Sequence, residues 1–465
     1  MFNSIKSKYL HLGLFALYTV VSVFILSFFN GVGTEADSIN HYLHARYAIA
    51  HPELLLNHWA KPLFTLIAMP FAQFGIIGVK VFNFICSLLS LYFISRIAQL
   101  LNWRMPYLAA FFFILFPLSF TTTFSGYTEP LFALLLLISV YGVVKNKYTA
   151  AAILISFGPF VRSEGLIILG VFTLYFLFQK KYKYLPLLAV GHIVYSIIGS
   201  FYYGDLLWVL NKIPYAAWST PYGKGNFFHF FEQLNYALGV PLYILFWMGF
   251  VFLTFHTFKK LKVNKASLLI LLCFAAFFIA HSLFWQLGIF NSMGLKRVFA
   301  AVSPLMAIIS LYGFNLLSRI PHTKTAQTLQ ILTFSYILIF PFTSNPAAIN
   351  WEKDLNLSIA QQTADEVADF VKSNYPDHRI VYADPYLAHT LKVDPFDSKE
   401  ALLLSEQSLQ LGSSADLIIW DNWHAVVDQN IALEQIEQSN RYVEINRFEK
   451  SNSKKESLFV VFEKQ

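Results

Sequence analysis

Charge is scarce in this chain: only 13% of its 465 residues are Asp, Glu, Lys or Arg, and just seven acids precede residue 351. A soluble fold of that length needs a charged surface that this composition does not supply, so an ordinary globular enzyme is excluded. Cysteine is nearly absent as well. Cys86 and Cys273 both fall inside apolar runs, which removes any disulfide framework and leaves them as small packing residues. The chain has no Cys-x-x-Cys, no His-Glu-x-x-His, no Walker loop and no Gly-x-Gly-x-x-Gly, so redox, metalloprotease and ATP-driven chemistry lack their usual signals. No internal repeat or low-complexity linker is visible.

What the chain does have is apolar mass: 56% hydrophobic residues, 48 Phe and a mean hydropathy of +0.52. A bilayer core of about 30 Å needs about 20 mainly apolar residues per helical span, and such runs recur from residue 8 to about 344. Eleven helices are expected, near 8–29, 79–101, 106–124, 129–144, 149–162, 165–179, 184–201, 239–258, 266–287, 298–317 and 326–344. The stretch 62–77 is apolar but carries Pro62, Pro70 and Gly75, and reads as an interfacial or re-entrant helix rather than a span. The run Leu10 to Phe29 is long and lacks a small-x-small cleavage site, so it is expected to stay attached. The fold class expected is an all-α polytopic membrane protein of about eleven transmembrane helices, residues 1–344, with a first outer loop over 30–78. A small C-terminal extracytoplasmic α/β domain over 345–465 completes it.

Basic residues set the orientation, because cytoplasmic loops carry the excess of Lys and Arg. The loops assigned inside hold 15 of them and the outer loops eight, while all seven acids (Glu35, Asp37, Glu53, Glu129, Glu164, Asp205, Glu232) fall outside. The N-terminus is therefore expected in the cytoplasm and the tail outside it. That tail holds 11 Lys plus Arg against 20 Asp plus Glu, a net of −9, whereas the part before it carries +16. The basic balance thus reflects membrane orientation and gives no footing for nucleic acid. Within the tail, 364–373 reads as a helix, and 379–382, 417–420 and 458–462 read as short buried strands. Asp416 to Asp421 resembles a strand ending in an acid, for which a structural role is favoured over catalysis.

The outer face gathers the residues with chemistry. Thr34-Glu35-Ala36-Asp37 follows the first apolar run, and the same loop carries His41, Arg46, His58 and Lys61. Ionisable groups at a membrane boundary need a partner or a task. Asp37 and Glu35 have the chemistry to accept a hydroxyl proton or to hold a divalent cation, and Asp37 or Ser38 is equally suited to capping the helix that follows, through Tyr47. A second cluster is Gly158-Pro159-Phe160-Val161-Arg162-Ser163-Glu164-Gly165, and a third is Gly294-Leu295-Lys296-Arg297. Arg162 with Glu164 is a pair that also suits helix ends, and Arg297 with Lys296 suits a phosphate, with snorkelling as the plain alternative. Tyr127-Thr128-Glu129-Pro130 adds a fourth acid that reads as a cap or hydrogen-bonding residue. The aromatic loop 202–238 (Tyr202, Tyr203, Trp208, Tyr215, Trp218, Tyr222) reads first as an interfacial belt and second as a surface for a sugar or a lipid-linked substrate.

In that order of parts the chain resembles the glycosyltransferase-C superfamily, polytopic enzymes that use polyprenyl-phosphate-linked sugars. The resemblance rests on a first helix followed by an acidic outer loop (Glu35, Asp37), a proline-flanked KPLF…PFAQFG segment, VRSEG between two helices, and GLKRV…SPL before a late helix. It is closest to the bacterial branch that looks like dolichyl-phosphate-mannose protein mannosyltransferases and lipid A aminoarabinose transferases. It implies a multi-pass enzyme of the plasma (inner) membrane that moves a sugar from a polyprenyl-phosphate carrier to a glycan, lipid or protein acceptor. Asp37 would correspond to the first-loop acid, with Glu35 its neighbour and Glu-x-Asp standing in place of an adjacent pair. Arg297 and Lys296 would bind the carrier phosphate, Arg162 and Lys61 are further candidates for it, and His41, His58, Glu129 and Glu164 are candidate substrate contacts. Inversion at the sugar carbon is expected, since one base suffices. The resemblance leaves Mg²⁺ or Mn²⁺ open and defines no metal site. A transporter or lipid-linked glycan flippase, and a non-catalytic envelope-polysaccharide assembly protein, are the competing classes.

Overall fold

The computed structural model describes residues 2–33, 36–214, 220–259, 265–411, 416–439, 441–451 and 456–464. Glu35, Tyr215 and Trp218, singled out above, lie outside the described residues. The first span is α1 (Phe2–Phe28), and the outer loop after it folds into α2 (Asp37–Tyr47) and α3 (Pro62–Ala72). At 11 residues α3 is about 16 Å long and too short to cross. Proline at its first position suits a helix start, where no N–H is needed.

α4 (Ile76–Leu100) is a full span. The single helix expected near 106–124 is instead two, α5 (Tyr107–Leu115) and α6 (Pro117–Thr123). Pro117 offers no N–H and forces Phe116 into an extended conformation (φ −68°, ψ 118°), so the helix stops and restarts. Then come α7 (Glu129–Val144), α8 (Tyr148–Ser156), α9 (Gly165–Phe178), α10 (Val190–Tyr203) and the short α11 (Trp208–Asn211). The bundle closes with α12 (His229–Leu238), α13 (Val240–Lys259), α14 (Lys265–Leu287), α15 (Ser303–Leu317) and α16 (Thr323–Ile339). Among the described residues, seven helical segments are long and apolar enough to cross a membrane, and four shorter apolar helices accompany them. Cys86 and Cys273 are buried free thiols, as their apolar surroundings suggest.

The tail forms a five-stranded sheet of order β2-β1-β3-β5-β4. It is built from α17 (Ile359–Asn374), β1 (Arg379–Tyr382), α18 (Pro385–Leu391), β2 (Ala401–Leu403), α19 (Glu406–Leu411), β3 (Asp416–Asp421), α20 (Leu433–Glu437), β4 (Tyr442–Ser451) and β5 (Glu456–Lys464). β1 runs parallel to β2 and β3, while β5 is antiparallel to both β3 and β4. Alternation along the strands sorts the sheet into two apolar faces. Ile380, Tyr382, Leu417, Ile419, Phe459 and Val461 join the core that continues into the membrane bundle, while Val381, Ile418, Trp420, Val460 and Phe462 form a separate cluster.

The tail docks on the first outer loop. Gly31 donates its N–H to the Leu355 carbonyl (2.8 Å), the Gln361 amide donates to the Gly33 carbonyl (2.8 Å), and Tyr47 Oη donates to the Val393 carbonyl (3.0 Å). His51 Nε2 lies 2.9 Å from Asp394 Oδ2. Loop and tail therefore share one end of the bundle.

Candidate active site

α2 starts at Asp37, and the next residue fixes where that start lies. The Ser38 hydroxyl accepts the Gly126 N–H (2.6 Å) and donates to the Val32 carbonyl. Gly126 is needed there, because a Cβ would collide with the Ser38 carbonyl. From the other side Asn83, fully buried in α4, donates to the carbonyls of Ser125 (2.8 Å) and Tyr127 (2.9 Å). The turn before α7 is thus clamped between α2 and α4.

Tyr127 in that turn presents its ring to Arg297, whose Cζ stands 4.3 Å from the ring centroid, a cation–π geometry. Arg297 belongs to the 3-10 turn Lys296–Val302 that leads into α15. Its Nη2 is 2.5 Å from Asp37 Oδ2, and its Nη1 is 3.5 Å from Glu129 Oε1. Glu129, wholly buried at the start of α7, also meets Arg162 Nη1 at 2.8 Å. Arg162 donates to Thr128 Oγ1 (3.0 Å) and to Glu164 Oε1 (2.6 Å), and Glu164 in turn lies 3.8 Å from His281 Nε2 on α14. Lys61, buried just before α3, donates to Ser163 Oγ (2.8 Å) and to the His58 carbonyl (3.1 Å). Asp37, Glu129 and Glu164 therefore alternate with Arg297, Arg162 and His281 through one network, with Lys61 beside it through Ser163, so that each buried guanidinium meets a carboxylate.

One end of this network is open. Asp37 keeps 38% of its side-chain surface exposed, against 10% for Arg297 and none for Glu129. Burial is the largest single influence on Asp37 and works against its charge, but the charge and hydrogen bond of Arg297, with His41 and Arg162 adding to them, together hold the carboxyl below its ordinary range. Glu164 is likewise penalised by burial, yet Arg162 brings it down to about 2. Lys61 goes the other way: burial dominates, with Glu164 only partly compensating, and its ammonium titrates at about 7. His41, one turn beyond Asp37, is pushed by burial down to about 3 and stacks on Trp59 with ring centroids 5.0 Å apart.

Of the residues singled out in the sequence, Asp37, Arg297, Glu129, Arg162 and Glu164 come together directly, and Lys61 joins them through Ser163. Three do not enter the network. His41 is held against Trp59, while the His58 Nε2 faces the Val209 carbonyl at 3.1 Å and anchors the loop. Lys296 is exposed, with its ammonium 5.6 Å from the ring centroid of Tyr236. Trp208 is not part of an interfacial belt: it is fully buried and donates to the Tyr195 carbonyl at 2.9 Å. Sequence reading passed over Asn83 and His281, and named Ser38 only as a possible helix cap and Ser163 only as a member of its cluster. Asn83 and His281 carried a usable signal, a polar residue inside an apolar span. Among the described residues no group of three or more His, Cys, Asp and Glu side chains is placed to hold a metal ion, and the network's carboxylates face guanidinium groups instead.

No family model and no curated protein matches the chain. Solved structures do, two of ArnT among them. The crystal structure of ArnT from Cupriavidus metallidurans in the apo state aligns with a TM-score of 0.64 at 10% identity, covering 97% of this chain and 98% of that one. ArnT from the same organism bound to undecaprenyl phosphate aligns with a TM-score of 0.61 at 10% identity, covering 96% and 98%. The likeness shows the fold: a polytopic all-α membrane protein of glycosyltransferase-C-like architecture, with a small β-containing domain at its C-terminal end.

Proposed function

We propose that the protein is an integral membrane glycosyltransferase of the plasma (inner) membrane, transferring a sugar from a polyprenyl-phosphate carrier to an acceptor outside the cytoplasm. The observation that carries this reading is the contact of Asp37 with Arg297, a carboxylate base and a guanidinium meeting at the half-open end of an otherwise buried network. The fold supports it, and the undecaprenyl phosphate held by one ArnT structure makes that lipid the first carrier to test.

In the reaction an acceptor hydroxyl attacks the anomeric carbon, the bond from that carbon to the phosphate oxygen breaks, and configuration inverts. Asp37 takes the hydroxyl proton, and polyprenyl phosphate departs with the bonding pair. Arg297 binds the departing phosphate, with Lys61 and Arg162 as the further cations of the cluster. Arriving phosphate competes with Asp37 for the Arg297 guanidinium. Carrier binding then loosens the ion pair that keeps Asp37 a weak base, so that the base becomes effective once the leaving group is in place. Glu129 and Glu164 hold the two guanidiniums in position. The 30–78 loop and the tail from 345 face the extracytoplasmic side, and the N-terminus lies in the cytoplasm, in keeping with the distribution of Lys and Arg.

Transfer by purified protein from an undecaprenyl-phosphate-linked sugar, with mass spectrometry of lipids that co-purify, tests the reading. Asp37→Asn should lower the turnover by about 10²–10⁴-fold while carrier binding stays at least as tight as wild type and thermal stability stays near it. Full activity in that variant would remove Asp37 from the mechanism.

A further inference from the structure

The outer end of α1, the first turns of α4, α6 and the start of the tail enclose a cleft to which the charge network contributes no residue. Its walls include Phe29 of α1, Lys80 of α4, Thr121 of α6 and Asp354 of the tail, around a narrow space of about 280 Å³. Lys80 is the one basic side chain on those walls and is only 4% exposed. Among the described residues its ammonium makes no hydrogen bond and no ion pair. A buried ammonium without a counter-charge is costly, and at the level of a bilayer such a group has a partner or a task. Asp354 stands exposed on the same cleft. One of its oxygens accepts the Asn350 N–H (2.9 Å), and it forms no ion pair with Lys80 or with any other described base.

The surroundings point to a lipid. α1 is long and apolar enough to cross a membrane, and its last turns hold Phe24 and Phe28 outward, 53% and 71% exposed. The cleft thus lies beside a helix that faces the bilayer, at the end of the span, which is the depth of phospholipid headgroups. A phosphate answers Lys80, a compact charge with three donors. A primary ammonium answers Asp354. A zwitterionic headgroup with phosphate and amine on a two-carbon link brings both at once, whereas a headgroup without the amine leaves Asp354 to repel its phosphate.

We propose that this cleft binds the headgroup of a phospholipid with a primary amine, of phosphatidylethanolamine chemistry, with its phosphate on Lys80 and its ammonium on Asp354. A lipid seated there ties α1 to the start of the tail, next to the bond between Gly31 and Leu355. The site is separate from Arg297 and stands whether or not the protein transfers sugars. Native mass spectrometry of the full-length protein in detergent tests it, with phosphatidylethanolamine, phosphatidylglycerol or soluble phosphoethanolamine added and thermal melts run on the same samples. The wild type should hold phosphatidylethanolamine in preference to phosphatidylglycerol, and phosphoethanolamine, which lacks the chains, should not displace it. Lys80→Met should weaken that binding about tenfold or more, and Lys80→Arg should keep it. Asp354→Asn, at an exposed position that does not endanger folding, should abolish the preference over phosphatidylglycerol. Because Lys80→Met replaces an uncompensated buried charge with an apolar chain of similar length, the delipidated variant should melt no lower than wild type. Equal lipid retention by wild type and Lys80→Met, a wild type that holds phosphatidylglycerol as tightly or retains neither lipid, or displacement by phosphoethanolamine overturns the proposal. Undecaprenyl-phosphate binding should be the same in Lys80→Met as in wild type. Loss of both lipids together would put Lys80 in the carrier site and overturn a separate one, whereas a wild type that binds phosphatidylethanolamine but no carrier sinks sugar transfer alone.

Discussion

At the level of single residues, the charged groups of the network do different work according to burial. Glu129 is enclosed and bridges Arg162 and Arg297, so it answers for the stability of two guanidiniums. Removing one partner of a buried ion pair leaves the other charge uncompensated, at a cost of about 3–5 kcal/mol. Glu129→Ala is therefore expected to cut the thermal stability of the detergent-solubilised protein sharply, whereas Asp37→Asn at the exposed end is expected to spare it. Lys61 makes a separate prediction. A lysine is charged below its pKa, and this one titrates at about 7, so its help to an anionic phosphate is present at mildly acid pH and fades as pH rises through 7. Undecaprenyl-phosphate binding should weaken from pH 6 to pH 8 even though the phosphate itself gains negative charge over that range. Lys61→Arg, which keeps its charge, should flatten that dependence, and an unchanged slope in the variant would take Lys61 out of carrier binding.

At the level of elements, the site depends on close approaches of backbone. α2, the turn before α7 and α4 are held together by Ser38, Gly126 and Asn83, and Asp37 owes its position to that joint. Gly126→Ala puts a methyl group into the Ser38 carbonyl and should displace the first turn of α2, costing about 1–3 kcal/mol and most of the activity. A melting curve and a transfer assay read the two effects, and an active variant of normal stability would mean that the joint is not needed. The VRSEG turn is similar: a Cβ on Gly165 would run into the backbone of Gly158 and Pro159, so this glycine lets α9 start close against the end of α8 with Arg162 between them. Periodicity in the sequence found these helices but not every break. Pro117 was visible, yet in a long apolar run a proline either kinks or divides a helix, and only the extended Phe116 decides for division. The strands β2 and β4 were missed for another reason. β2 is three residues long, and the alternating burial of β4 carries polar and charged residues on its open face.

At the level of the whole molecule, tail and membrane bundle form one body through the first outer loop. The hydrophobic core runs from the helices into α17 and one face of the sheet, and Val393 holds Tyr47 at the end of α2 while Asp394 holds His51 just beyond it. A chain ended before Asn345 should therefore lose order in α2, with faster hydrogen exchange over residues 37–47 and loss of carrier binding. Unchanged protection there would show that the tail is dispensable for the site.

The sequence by itself determined the class of protein and supplied the expected spans and the expected gathering of the early acids on one side, because hydropathy and charge are local properties that a bilayer sorts by length and sign. It also made Asp37, Arg162, Glu129, Glu164 and Arg297 candidates. Only the tertiary structure decided that Glu129 serves two arginines, that Lys61 reaches the network through Ser163, and that His58 and Lys296 point elsewhere. Those pairings join residues as far apart as Asp37 and Arg297, and a contact over 260 positions depends on how helices pack, which no local pattern records.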